Sequence, residues 1–126
     1  MDYVQLVTAA RRPWRESNRA DEISDIARGL KLLAAETGAC VVAMAQINRA
    51  GGLRDTGPTM SDIREGGAEN DADAVILLHR PDDEIPELRV SVGKNRHGPL
   101  AEFPMAIDGH YARLRSVAWS PTGRTA

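Results

Sequence analysis

Apolar positions fall into two kinds of run along this chain. Short, nearly unbroken apolar stretches occupy residues 3–9, 39–45, 74–78 and 88–92. Each is too short for a helix and is bounded by polar or turn-forming residues, so each is expected to form a buried strand. Between the first two, Ile23, Ile26, Ala27, Leu30, Leu33 and Ala34 recur at three- and four-residue steps, which predicts one apolar face of a helix over about residues 22–37. Asp21 is placed to cap its start. Gly38 is placed to end it by taking the left-handed conformation. A strand, a helix and a strand joined by short links form a parallel crossover, right-handed with near certainty.

The remaining segments read as connections. Residues 11–19 are polar and contain Pro13, so they are expected to form a loop. Residues 47–60, with Gly51-Gly52 and Gly57-Pro58, are expected to form a mobile loop. Ser61 would cap a short turn through Asp62-Ile63-Arg64-Glu65, which breaks at Gly66-Gly67. Residues 81–86 read as a loop and residues 93–99 as a polar turn. Phe103 to Ile107 and Tyr111 to Val117 read as an antiparallel pair joined around Asp108-Gly109. Residues 118–126 lack periodicity and are expected to be a disordered tail. The expected architecture is α/β: a mostly parallel sheet flanked by helices, ending in an antiparallel hairpin, over residues 1–117. Parallel sheets need cover on both faces and several strands, so the chain reads as the later half of a larger domain.

Composition narrows the class. The 126 residues fit one domain, and 42% apolar content supports a core, which excludes wholesale disorder. With 4% aromatics, that core must be mostly aliphatic. The net charge is −2, so nucleic-acid binding must come from local patches. Fourteen of the 16 basic residues are Arg, which suits bidentate phosphate contacts but equally fits a compositional bias. Cys40 is the only cysteine and lies in an apolar stretch, so it is expected to be a buried small hydrophobe. A disulfide framework and a Cys/His metal cluster are excluded. No run is long enough to span a bilayer and no signal-peptide core precedes the first charges, so the chain reads as cytoplasmic.

The chemistry begins where the strand at 39–45 ends. Gln46, Asn48 and Arg49 follow at once, and all three carry hydrogen-bond donors. The carboxyl end of a strand in an open α/β sheet is where ligands bind. Such a placement points to phosphate handling. The usual phosphate cradle, Gly-x-x-x-x-Gly-Lys-Ser/Thr, is missing from the sequence.

Six short strings sharpen this picture. Asp2-Tyr3-Val4-Gln5-Leu6, Ala45-Gln46-Ile47-Asn48-Arg49, Ser61-Asp62-Ile63-Arg64-Glu65, Asp71-Ala72-Asp73-Ala74-Val75, Lys94-Asn95-Arg96-His97-Gly98-Pro99 and Gly109-His110-Tyr111 occur in this order. Each is weak alone. Together they resemble the carboxyl-terminal ATPase domain of replicative hexameric DNA helicases of the DnaB type, which has a RecA-like fold. The resemblance runs from about residue 1 to residue 115, starting at the Walker B strand.

That resemblance implies roles. Asp2, which alone would read as a capping residue, would be the Walker B acid holding magnesium beside ATP. Gln46 would sense the terminal phosphate and signal to the DNA loops; read alone, it satisfies local backbone. Lys94 and Arg96, otherwise a solvated basic turn, would reach a neighbouring subunit's ATP and stabilise charge on its γ-phosphate. Arg64, Glu65 and Gly67, otherwise a glycine-rich turn, would face single-stranded DNA. Residues 66–71 are one residue shorter than the family pattern, which alters that loop's reach. The loop at 49–58 is a second DNA-facing candidate. Arg11, Arg12, Arg15 and Arg19, with Trp14, fall where the family has a variable linker and read as a solvated loop. His79, His97 and His110 lack metal-ligand spacing, and His110 is expected to pack with Tyr111 near the subunit edge.

The family's P-loop and its water-activating acid would both precede residue 1. The chain is therefore expected to lack ATP affinity by itself, while still able to offer Lys94 and Arg96 in trans. Implied partners are single-stranded DNA and other helicase subunits in a hexameric ring, and no membrane is implied. A second functional class stays open: a non-catalytic DNA-binding or interaction module. Recombinase and circadian-clock relatives of the same fold are rivals within the ATPase class.

Overall fold

Helix α1 (Arg19–Thr37) carries the apolar three-four pattern, and its first turn is set by Asn18, whose side chain accepts from the Asp21 backbone N–H at 3.0 Å. The structure is a computed structural model and describes residues 3–7, 18–52 and 56–117. Asn18, not Asp21, is thus the cap. Asp21 and Glu22 lie inside the first turn, where their charges meet the positive end of the helix dipole. Gly38 ends the helix with φ +67°, as expected. On the apolar face Ile23 is fully buried, but Leu33 is 49% exposed. Among the described residues, α1 packs chiefly against the short helix α3 (Ala68–Asp71) and a 3-10 turn at Val4–Leu6.

That turn replaces the expected strand at 3–9, whose last two residues lie outside the described ones. Its amides close locally, Leu6 N onto Tyr3 O and Val7 N onto Val4 O. The strand expected at 39–45 does not form: among the described residues, 39–46 carry no regular element and join no ladder, and Val4 N donates to Met44 O at 2.7 Å. Without a flanking strand they are not buried: Val42 is 70% exposed, and Cys40 is an exposed free thiol rather than a core residue.

The sheet is a four-stranded meander in the order β1 (Ala74–His79), β2 (Glu87–Asn95), β3 (Ala101–Asp108) and β4 (Arg113–Ser116), antiparallel throughout. The expected parallel arrangement of 74–78 and 88–92 is therefore corrected. Their link, residues 80–86, is too short for a parallel crossover, which takes a dozen or more residues. The terminal hairpin forms as expected, with a 3-10 turn at Gly109–Tyr111 inside it. The polar turn is shorter than residues 93–99, because β2 continues to Asn95. Residues 118–126 lie outside the described ones.

Gly93 sits at a bulge. Val75 pairs with Lys94, yet Ile76 pairs with Val92, so β2 holds one extra residue there. A Cβ on Gly93 would lie 3.2 Å from Met60 Sδ and 3.3 Å from Leu77 Cδ1. Buried apolar side chains are Val4, Ile23, Ile63, Leu77 and Val90.

Ile23→Ala is expected to cost about 2–5 kcal/mol in urea unfolding, through lost transfer energy and a cavity. Leu32→Ala on the same helix, where the side chain is 57% exposed, is expected to change stability by less than about 0.5 kcal/mol.

Candidate functional site

Two separated stretches meet at the strand end picked out by sequence. Arg64 N donates to Gln46 O at 2.8 Å and Asn48 N to Asp62 O at 2.8 Å, around an antiparallel bridge between Ile47 and Ile63. Asp62 ends a 3-10 turn (Met60–Asp62) whose cap is Thr59 rather than Ser61: Asp62 Oδ2 accepts from Thr59 N at 2.8 Å and from Thr59 Oγ1 at 2.7 Å. The loop expected at 47–60 is partly ordered into a helical turn, α2 (Arg49–Gly52). It seats on Asp62 so closely that a Cβ on Gly51 would lie 2.5 Å from Asp62 Cγ.

This joint brings Gln46 and Arg64 into direct contact. Arg64 Nη1 donates to Gln46 Oε1 at 3.1 Å, and the Arg64 side chain is otherwise exposed. The neighbouring residues of the expected DNA loop turn inward. Glu65 holds φ +66° and pairs with Arg19 Nε at 3.1 Å. Gly67 holds φ +86° and abuts α1, where a Cβ would lie 2.2 Å from Ser24 Oγ. Arg19 also binds Glu22 at 2.7 Å and the carbonyls of Gln5 and Val7. The Glu22 contact, followed by Glu65, holds the Arg19 guanidinium even more firmly charged than usual. Arg19 is therefore no part of a solvated loop, because it opens α1 and ties the 64–67 turn to it.

Lys94 and Arg96 form a second cluster beneath α3. Because of the bulge, Lys94 shares a face with Val75, and its Nζ donates to Glu69 O at 2.7 Å and Asn70 O at 3.0 Å. These carbonyls lie at the end of α3, where a helix leaves acceptors unpaired. Arg96 Nη2 donates to the same Asn70 O at 3.3 Å, so the Lys-x-Arg pair converges on one atom. Asp73 anchors the cluster: Lys31 Nζ lies 2.7 Å and Arg96 Nε 3.8 Å from its Oδ1. The hydrogen bond from Lys31 holds the Asp73 carboxyl below its usual range against a desolvation cost, helped by the charges of Lys31, Arg96 and His97.

Asp2 lies outside the described residues, as do Arg11, Arg12, Trp14, Arg15 and residues 53–55 of the second loop. His110 meets Tyr111 edge-to-face at 5.1 Å, and Arg113 lies 5.8 Å over the Tyr111 ring. His79 is buried on β1, and its Nε2 has no hydrogen-bond partner among the described residues. Among the described residues no group of three His, Cys, Asp or Glu is arranged to hold a metal ion, and no helix is long and apolar enough to cross a membrane. Sequence reasoning gave no role to Gln5, Lys31 or Asp73. The Gln5 and Asp73 strings were visible, but pairings across 41 and 42 residues leave no local signal.

Known structures share this fold. A solved ATPase domain superposes with a TM-score of 0.79 at 31% identity, over 91% of this chain and 42% of that one. A DnaB-like replicative helicase, solved in a study of its interactions with primase, gives 0.80 at 33% identity, over 91% of this chain and 29% of its own. The fold is that of a RecA-like ATPase domain, present in part. The family described as DnaB-like helicase C terminal domain matches residues 1–116, and the chain belongs to it. Similar curated proteins include the replicative DNA helicase DnaB of Leifsonia xyli subsp. xyli (strain CTCB07), 39% identical over 94% of this chain, and that of Mycobacterium leprae (strain TN), 41% identical over 94%. The chain spans 27% and 20% of those two proteins.

The Lys31–Asp73–Arg96 cluster has a defined acid dependence. A carboxyl lowered by folding contributes stability above its unfolded pKa and loses it as pH falls through the folded value. The Asp73 carboxyl is expected to titrate by carbon-detected NMR below the ordinary carboxylate range. Lys31→Met should return the midpoint toward that range; an unmoved midpoint would refute the assignment.

Proposed function

We propose that this chain is the carboxyl-terminal part of a replicative ring helicase, whose ATP hydrolysis drives movement along single-stranded DNA and unwinding of duplex. The observation that carries the reading is the Gln46–Arg64 contact at 3.1 Å. It links the residue expected to sense phosphate to the residue expected to meet DNA, without an intermediary. An amide both donates and accepts, so Gln46 is able to keep Arg64 while turning its N–H toward a phosphate oxygen, or to release it.

The donors suit phosphate. Lys94, Arg96 and Gln46 offer an ammonium, a guanidinium and an amide, all complementary to phosphate oxygens. Lys94 and Arg96 would reach the ATP of a neighbouring subunit in a hexamer, while Gln46 would sense the terminal phosphate beside Asp2, the carboxylate for magnesium. ATP with magnesium supplies the phosphoryl group whose transfer is to be accelerated. Lys94 and Arg96 would neutralise charge growing on its oxygens. Moving from the Asn70 carbonyl to a phosphate exchanges a neutral acceptor for a charged one, a favourable trade. Arg64, exposed at the turn, would bind backbone phosphates without regard to sequence.

The test mixes the chain with a P-loop-bearing DnaB-type subunit and measures ATP hydrolysis with and without oligothymidylate. Hydrolysis stimulated by the oligonucleotide is expected, falling on the order of 10³-fold in a Lys94→Ala, Arg96→Ala double variant, the scale of an arginine finger. Absence of any gain in the mixture would sink the catalytic reading. Salt-sensitive DNA binding indifferent to nucleotide would then favour a non-catalytic module. Separately, Arg64→Ala is expected to lower oligothymidylate affinity uniformly across sequences and reduce the salt slope by about one.

A further inference from the structure

Gln5 lies in the Asp2-Tyr3-Val4-Gln5-Leu6 string and carries no role so far. Its side chain spans the joint described above. Oε1 accepts from the Gln46 backbone N–H at 3.2 Å, and Nε2 donates to the Arg64 carbonyl at 3.1 Å. Arg64 returns two bonds to Gln46, N to O at 2.8 Å and Nη1 to Oε1 at 3.1 Å. Residues 5, 46 and 64 thus close a ring of hydrogen bonds drawn from three distant parts of the chain.

The chemistry of the ring selects glutamine. One bond needs an acceptor and the other a donor on the same planar group, which the uncharged amide of Gln or Asn provides at any pH. Asn is one methylene shorter. Reversing the amide would set its NH₂ against the Gln46 N–H and its oxygen against the Arg64 carbonyl, so the network admits a single orientation. The backbone of Gln5 is itself fixed. Val4 is buried and bonds Met44 O, while Arg19 donates to Gln5 O. The amide therefore projects from a held position and is not a loose surface group.

We propose that Gln5 is a positioning residue that couples the phosphate-facing strand end at Gln46 to the DNA-facing turn at Arg64. This rests on the helicase reading given above. A shift of Gln46 moves Arg64 through their shared bonds, and Gln5 makes the two backbones move as one. It also carries the displacement to the segment three residues from Asp2. Ligand at one end of the ring is thereby felt at the other.

The test uses the full 126-residue chain, with Gln5→Leu, which keeps the bulk and loses both bonds, and Gln5→Glu, which keeps the acceptor and loses the donor. Amide exchange and ¹⁵N shifts are followed at Gln46 and Arg64, with oligothymidylate as the probe. In Gln5→Leu, exchange at the Gln46 N–H is expected to speed up about fivefold, the scale of one net hydrogen bond. In Gln5→Glu, exchange there should stay at the wild-type rate. Oligothymidylate should shift both Arg64 and Gln46 in wild type, with a smaller Gln46 response in both variants, where the direct Gln46–Arg64 bonds remain. Unchanged Gln46 exchange in Gln5→Leu, or an undiminished Gln46 response to the oligonucleotide in both variants, would overturn the proposal. A wild-type chain in which Arg64 ignores the oligonucleotide would instead overturn the helicase reading, and the coupling role with it. Gln5→Glu guards against a fold lost in Gln5→Leu, because it removes the donor without removing the polar group.

Discussion

The short antiparallel contact between residues 46–48 and 62–64 is the joint on which the other features depend. Two backbone bonds, which together make the bridge between Ile47 and Ile63, hold it, with Ile63 buried beneath. Two such bonds are worth about 2 kcal/mol net, similar to burying one isoleucine side chain. Neither contribution is large enough to make the other dispensable. Without the joint, segment 39–46 would keep, among the described residues, the backbone bond between Val4 and Met44, the bond from Gln46 N to the Gln5 side chain and that from Ala39 N to the Thr37 hydroxyl. The Gln46–Arg64 contact, the seat of Gly51 on Asp62 and the turn that leads Glu65 to Arg19 all start from it.

Electrostatics divides the site into a fixed half and a releasable half. Arg19 meets two carboxylates, Glu22 and Glu65, and pins the turn. Among the described residues, Lys94 meets carbonyl oxygens of α3, and Arg96 meets one carbonyl and a carboxylate at the longer distance of 3.8 Å. A dipole is a weaker partner than a full charge for a cation. Position in the chain says nothing of this contrast, since all three are simply basic residues in polar surroundings.

Local pattern made some elements legible and left others hidden. Helix α1, its glycine stop, β1, the core of β2 and the terminal hairpin follow from periodicity and turn residues. The sense of the sheet does not follow from apolar runs, because β1 and β2 read alike in either sense. The deciding fact is the short 80–86 connection, which was present in the sequence and outweighed by the crossover pattern upstream. Cys40 and Val42 look like core residues because an apolar run implies cover, yet the described residues supply none. At the site, Gln46, Arg64, Lys94 and Arg96 were found through short strings, and the structure sets them in two groups. Gln5 and Asp73 act across 41 and 42 residues, so only the folded chain discloses them.

The bulge at Gly93 absorbs a change of chain length without a change of facing. Side chains on a strand alternate faces, so one inserted residue would reverse the facing of everything beyond it unless a bulge takes it up. Lys94 reaches α3 because the bulge takes up Gly93: Val92 pairs with Ile76 and Lys94, two residues on, pairs with Val75 on the other face. Replacing Gly93 would disturb Met60 and Leu77 while keeping the chain length. Removing it would let Lys94 follow Val92 directly and still pair with Val75, so the cation would keep its face. For relatives aligned through this strand, a one-residue gap here would therefore leave the cation on the same side of the sheet, whereas a gap elsewhere in the strand, with no bulge to take it up, would turn it away.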